Sequence, residues 1–457
     1  MKTRLLMWIG SGVFLGYCLL ASPAQAAGWK AGTAKVAITP KTPMWMAGYA
    51  SRTSPSEGAF HDLWAKALVL EDPAGARAVL VTLDTCGITQ PLTDEIRDLL
   101  KQKYQLERRQ ISLATSHTHS GPVVGTNLIT MYPLDAEQLH RIEQYAETLR
   151  DAIVNVVGEA IKNVEPARLA WETGTADFAV NRRSNNQAKA VELRDQLAQQ
   201  GPVDHDVPVL RVESGEKIKA IVCGYACHCT TLSLNKFSGD YAGYAQIALE
   251  KAHPGAQAMF VAGCGADQNP LPRGTIEQAE DYGQQLSNAV ERVLAGALRP
   301  ISGPLRTAYQ EIDLAFGTIP DRAHWETEAQ SKTLLITNRA KKFLEILDAG
   351  EKIPTTYVYP IEVWQLGDGP TWILLGGEVV VDYAHRLKRN LGSSHTWVSS
   401  YCNDVMAYIP SLRVLKEGGY EGGGAMAAYG QPAPWSDQVE DAIIATIRDG
   451  VNAVRKP

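Results

Sequence analysis

His117 and His119 stand one residue apart in Ser116-His117-Thr118-His119-Ser120-Gly121-Pro122, directly after the apolar run 110–115. On an extended segment two side chains at that spacing project to the same side, so both imidazoles can face one site. Neutral imidazole is a good zinc ligand, and hydrolytic zinc sites use three protein ligands plus a water. A further imidazole, His228, closes the strand-like run 218–226, and Glu378 follows the run 372–375 across Gly376-Gly377. Glu378 has a second reading as a helix N-terminal acid favoured by the macrodipole, which is compatible with metal binding. His117, His119, His228 and Glu378 are thus candidate ligands of Zn2+, and a hydrolase is the expected chemistry.

The elements that must position these residues alternate between strand and helix. In α/β sheets ligands bind beyond the carboxyl ends of strands, so those ends are where reactive side chains matter. The run 77–83 ends in Asp84, and 258–262 leads into Gly263-Cys264-Gly265-Ala266-Asp267-Gln268-Asn269. Apolar residues at helical spacing predict helices over 92–104, 241–252 and 276–298. Asp135 is the expected N-cap of a long helix to about Lys162, with Ile142, Tyr145, Leu149, Ile153 and Val156 along one face. The runs 357–366 and 372–375 pair as strands, and the charged helical stretch 329–352 reads as a peripheral insertion. This order predicts an α/β fold: a layered α/β/α sandwich with a mixed, largely parallel central sheet. Gly418, Gly419, Gly422, Gly423 and Gly424 crowd around Tyr420 and Glu421, which marks a shaped loop.

At 457 residues the chain has room for a large core, and its formal charge of -6 leaves no basic footprint for a nucleic-acid partner. Residues 1–26 read as a secretory signal: Lys2 and Arg4, the apolar stretch 5–20, then the small-x-small site Ala24-Gln25-Ala26. That stretch is shorter than the roughly 20 residues needed to span a bilayer. A periplasmic or secreted protein is expected, with no transmembrane segment in the mature chain. Cys86, Cys223, Cys227, Cys229, Cys264 and Cys402 remain; in an oxidising compartment an even number permits disulfides. Cys227-His228-Cys229 invites a zinc-thiolate reading. On a strand the two cysteines would share the face away from His228, so buried thiols or a disulfide fit better.

Several segments together resemble the catalytic domain of neutral/alkaline ceramidases. They are Ala31-Gly32-Thr33, Ile38-Thr39-Pro40, the His-Thr-His-Ser-Gly-Pro segment, Asn181-Arg182, Ala226-Cys227-His228, Gly377-Glu378 and Tyr420-Glu421-Gly422-Gly423. The resemblance runs in the same order through nearly all of 27–457, and implies one catalytic domain there. It implies a zinc ion held by His117, His228, Glu378 and Tyr408, with Tyr401 as a rival for the phenolic place. It gives His119 to the substrate or the developing oxyanion, and Arg182 to substrate binding with Arg183, Asn181 and Gln268 beside it. The implied reaction is hydrolysis of an N-acyl amide, in which zinc polarises the carbonyl and brings a water's pKa toward 7. Asp84, Asp240 and Asp267 are candidates to orient the ligating imidazoles, Asp267 within the catalytic group itself.

Two departures bear on the substrate. Ceramidases carry Gly-Asp-Val-Ser-Pro-Asn, whose serine serves near the zinc, where this chain has Gly265-Ala266-Asp267-Gln268-Asn269-Pro270. They also continue into an immunoglobulin-like C-terminal domain, which this sequence is not expected to include. The expected partner is a small-molecule or lipid N-acyl substrate, with transient contact at a membrane surface. The alternatives are a hydrolase of non-lipid amides or esters on the same scaffold, and a zinc-stabilised binding protein.

Overall fold

In the computed structural model, which describes residues 28–455, three principal sheets meet around a shared core. The secretory leader assigned to 1–26 lies outside the described residues. The first sheet runs Ile111–Thr115, Arg77–Leu83, Trp64–Glu71, Lys30–Ala37, Glu165–Pro166. The second runs Gln257–Ala262, Lys217–Tyr225, Asp206–Ser214, Arg168–Thr175, Arg299–Ile301, and the third Leu305–Ala315, Thr356–Leu366, Thr371–Leu375, Thr396–Ser399. Trp171, Trp364, Trp372 and Trp397 pack between them with Leu68, Leu80, Leu210 and Val222. The Trp372 and Trp397 rings stack at 4.1 Å.

Helices close the outer faces. Ala136–Lys162 begins at Asp135, whose carboxylate accepts from Gln138 N–H, and lies on the first sheet through Ile142, Leu149, Ile153 and Val157. Asp240–Ala252 and Ile276–Leu294 cover the second sheet, and Val439–Arg455 the third. The α/β class and its helix-sheet-helix layering therefore match the sequence.

The sheet detail is corrected. Among the described residues the sheets are mixed, as expected, but none is largely parallel; each principal sheet is antiparallel except for one parallel pair. The reason lies in burial. A strand covered on both faces loses its polar-apolar alternation whatever its direction, and the first sheet has Leu68, Leu70 and Leu80 in one core with Ala67, Val69 and Val79 in another.

The parallel pairs are the ones that matter for the site. They are Arg77–Leu83 with Ile111–Thr115, Lys217–Tyr225 with Gln257–Ala262, and Thr371–Leu375 with Thr396–Ser399. Beyond their carboxyl ends come His117, His228, Gly265 to Asp267, Glu378 and Tyr401. Two short ladders tie these ends together: Gln268–Pro270 pairs with Ala179–Asn181, and Glu378–Val379 pairs in parallel with Tyr408–Ile409, setting Glu378 opposite Tyr408. The expected insertion 329–352 contains the helix Leu334–Asp348, and all six cysteines from Cys86 onward are buried free thiols.

Candidate metal centre

His117 sits at φ +59 and Tyr401 at φ +60, a left-handed conformation that non-glycine residues rarely adopt. Such strain persists only where surrounding contacts impose it. Here the Tyr401 ring stacks on His117 at 4.3 Å, and the Tyr401 N–H donates to the Gly377 carbonyl beside Glu378. These contacts aim His117 at Glu378.

The Nδ1–H groups of both candidate ligand histidines are tied to main-chain carbonyls: His117 donates to Cys86 O at 2.6 Å and His228 to Gly265 O at 2.7 Å. A carbonyl can only accept, so Nδ1 carries the proton and Nε2 is the nitrogen presented to the site. His117 Nε2 lies 3.2 Å and His228 Nε2 3.1 Å from Glu378 Oε2. Tyr408 Oη is 3.4 Å from His228 Nε2.

That geometry fits a metal. Glu378 Oε2 is fully buried and has no hydrogen-bond partner, an arrangement that is costly unless a cation completes it. Ligand atoms at about 2.0–2.1 Å from a tetrahedral zinc stand about 3.3 Å apart, close to the observed spacings. Charge points the same way. Burial pushes the Glu378 carboxyl up, but His117 and His228 more than offset it and hold it well below the usual carboxylate range. Burial works against charge on His117 too, yet the Cys86 sulfur and Glu378 raise it to about 10, whereas burial and Arg182 take His228 down to about 4. The centre wants one positive charge between these three side chains.

His119 reaches the same place from the other side, with Nε2 3.1 Å from His117 Nε2. Its Nδ1 has no partner, and burial with the two neighbouring imidazoles holds its pKa well below the ordinary value. The ring packs edge-on to Tyr49 and directly against Gly48, where a Cβ would stand 2.4 Å from Nδ1. Gly48 has φ +101, so the glycine serves both the turn and the close approach.

Arg182 enters from the end of Ala179–Asn181. Its Nη2 donates to Tyr408 Oη at 2.9 Å, Nη1 to Asn269 Oδ1 at 3.3 Å, and Nε to Glu421 at 2.7 Å. Arg183 donates to the other oxygen of Glu421 at 2.7 Å and to Glu417 and the Gly418 carbonyl. The glycine-dense loop thus presents Glu421 to both arginines. Gly422 must be small, because a Cβ there would lie 2.5 Å from the Gly418 carbonyl.

Five of the sequence-predicted groups have other employment. Asp84 accepts from Trp64 N–H and Gln246, and Asp240 from Leu232 and Tyr241 N–H groups. Asp267 accepts from Val381 N–H and Asn181, and burial lifts its carboxyl to about 6. None of the three acids orients a ligand histidine; main-chain carbonyls do. Asn181 is used up on Pro202 O, Asp267 and the N–H groups of Arg183 and Ser184. Gln268 bonds Ala226 O and Asp204 N–H, so its side chain supports the fold behind His228 instead of facing substrate.

Other residues at the centre carried no sequence signal, or only part of one. The Tyr429 hydroxyl donates to Glu378 Oε1, and nothing in its local sequence sets it apart. Asn269 lies in the loop that follows 258–262 and Glu421 among the clustered glycines, and the local sequence gives neither a role. Tyr401 has its hydroxyl buried without a partner, while Tyr408 is the phenol in hydrogen-bond contact with a ligand histidine.

Fold and site together define a mixed α/β protein with a buried donor set of two histidines and a carboxylate. The chain belongs to the neutral/alkaline non-lysosomal ceramidase family, whose N-terminal family model matches residues 29–320. Neutral ceramidase B of Dictyostelium discoideum is 30% identical over 247 residues, covering 50% of this chain and 33% of that protein. The neutral ceramidase of Pseudomonas aeruginosa is 24% identical over 496 residues, covering 91% of this chain and 71% of that one. The crystal structure of neutral ceramidase from Pseudomonas aeruginosa superimposes with a TM-score of 0.72 at 20% identity, covering 94% of this chain and 75% of that chain. The chain spans about a third of the length of the two Dictyostelium relatives, neutral ceramidases A and B. No helix among the described residues is long and apolar enough to cross a membrane.

Proposed function

We propose that this protein is an exported, zinc-dependent amidohydrolase that cleaves an N-acyl, ceramide-like amide bond. The observation that carries the reading is the convergence of His117 Nε2, His228 Nε2 and the partnerless Glu378 Oε2. Two neutral imidazoles, a carboxylate and the Tyr408 phenol form a donor set suited to zinc. Bound there, zinc supplies a Lewis acid for the scissile carbonyl and a water acidified toward neutrality. The amide substrate is supported by membership of the ceramidase family, and export by the leader pattern of residues 1–26.

The chain's own residues then divide the work. Cys86 O and Gly265 O fix the two ligand imidazoles in one tautomer. His119, held against Gly48 and Tyr49, offers Nε2 to the substrate oxygen as negative charge develops on it, the role for which preorganised donors are most effective. Arg182 keeps the Tyr408 hydroxyl in place and sets a fixed positive charge beside it. Tyr420, 5.3 Å from the Tyr408 ring and half exposed, forms the outer wall where an acyl chain or headgroup would pass.

The test combines metal analysis with hydrolysis of a short-chain and a long-chain N-acylsphingosine by the purified protein. His117→Ala, His228→Ala and Glu378→Gln should each lose the metal and lower kcat/KM by about a thousandfold, the several kcal/mol that a catalytic metal contributes. Full activity with metal retained in any of the three would sink the ligand assignment. Hydrolysis of simple amides or esters with neither sphingolipid cleaved would move the substrate to the non-lipid class.

A further inference from the structure

We propose that Tyr429 is a positioning residue that limits Glu378 to one ligating oxygen, capping Oε1 so that Oε2 alone faces His117 and His228. The inference rests on the metal reading above and adds to it how the carboxylate is denticity-controlled. Glu378 has two oxygens with different surroundings. Oε1 accepts the hydrogen bond from the Tyr429 hydroxyl, while Oε2 has no hydrogen-bond partner and lies 3.2 and 3.1 Å from the two imidazole nitrogens. An ionised carboxylate can bind a cation through either oxygen or both. With His117, His228 and Tyr408 also coordinating, a second carboxylate oxygen would take the position that a water or substrate oxygen needs. A phenol on Oε1 opposes that option, because it engages one of the oxygen's two lone pairs and turning the oxygen inward would leave the buried hydroxyl unpaired.

Tyr429 is built to stay where it is. Its ring packs against three separate apolar clusters, and its centroid is 6.3 Å from that of Tyr408. The following residues are fastened on both sides: Gln431 Nε2 donates to Met406 O at 3.0 Å, and Lys342 Nζ to Gly430 O at 2.9 Å. Thr130 Oγ1 donates to Ala428 O on the other flank, and its own carbonyl accepts from Asn338. Lys342 and Asn338 belong to the helix Leu334–Asp348. A segment that reads in the sequence as a peripheral insertion therefore holds the tyrosine that sets the carboxylate.

The experiment loads metal-free wild type and Tyr429→Phe with Co2+ and records the visible spectrum and the dissociation constant for Co2+ and Zn2+. The phenylalanine keeps the ring in its three clusters and removes only the hydroxyl. In the variant, metal affinity should fall about tenfold or more, the range for loss of a group that orients a ligand. The visible spectrum of the Co2+ form should change in position and intensity, because a second carboxylate oxygen replaces the water at the ion and alters its geometry. Lys342→Met, which loosens the loop and leaves Tyr429 intact, should give a smaller change in the same direction. A Tyr429→Phe spectrum and affinity that superimpose on wild type would overturn the inference while leaving the metal site standing. A wild type that takes up neither ion overturns the site itself and the inference with it.

Discussion

His117 Nε2 and Glu378 Oε2 lie 3.2 Å apart in full burial, brought together from the ends of strands in different sheets. In the metal-free protein a proton on His117 supplies the positive charge this contact needs, with its pKa raised from 6.5 to about 10. A metal must displace that proton. Apparent metal affinity should therefore rise with pH, by up to about tenfold per unit below pH 10, with close to one proton released per ion bound at pH 8. Calorimetric titration in buffers of different ionisation enthalpy reads this directly, and a pH-independent affinity would contradict it.

The same pair bears on stability without metal. A raised folded pKa means the His117 contribution is fully present below pH 6.5 and is lost as pH rises through about 10. His228 acts in the opposite sense: its pKa is lowered to about 4, so neutral His228 favours the fold at higher pH and that support is lost as pH falls from 6.5 toward 4. Denaturant midpoints of metal-free protein should thus decline on both sides of neutrality, and His228→Gln should flatten the acid limb.

Gly48 and His119 offer a way to separate chemistry from metal binding. Alanine at Gly48 would place a Cβ 2.3 Å from His119 Cγ at a backbone angle that side chains avoid, so the imidazole must shift. Gly48→Ala and His119→Ala should both keep the metal and lower kcat by about 100- to 1000-fold, the usual cost of losing one oxyanion donor. Loss of metal in His119→Ala would instead make it a ligand.

Arg182 and Glu421 form an almost wholly buried ion pair at 2.7 Å. Glu421 keeps its pair with Arg183 at 2.7 Å, so Arg182→Met should destabilise the protein by about 1–3 kcal/mol, the cost of the hydrogen bonds left unmade, and free the Tyr408 hydroxyl. Arg182→Lys keeps the charge but cannot reach Tyr408, Asn269 and Glu421 together, and should retain more stability than activity. Chemical denaturation alongside steady-state kinetics distinguishes the two effects.

Asp267 has a structural assignment that predicts a different phenotype. It caps the turn into the helix Val381–Leu391 through Val381 N–H and steadies Asn181. Asp267→Ala should cost about 1–3 kcal/mol of stability with metal content unchanged. A collapse of kcat in fully folded, fully metallated protein would return Asp267 to the catalytic group.

The candidate ligands His117, His228 and Glu378 were legible because chemistry at strand ends is local. An imidazole pair at i and i+2, a histidine closing an apolar run and a glutamate after two glycines can each be seen in a few residues. Helices 136–162 and 241–252 were legible for the same reason, since their apolar faces recur every turn. Strand direction was not legible: the runs 77–83 and 357–366 are buried along most of their length, and burial on both faces erases the alternation that distinguishes an antiparallel strand.

By itself, then, the sequence determined the α/β class, the strand ends that carry the donors, and the residue types able to hold a zinc. Only the tertiary structure decided how those donors are held. The imidazoles are oriented by the carbonyls of Cys86 and Gly265, which every residue possesses and no sequence pattern marks. The carboxylate is set by Tyr429 and the arginines by Glu421, contacts across long stretches of chain. They exist because three separate sheets deliver their parallel ends to one point, and local residue spacing carries no record of that convergence.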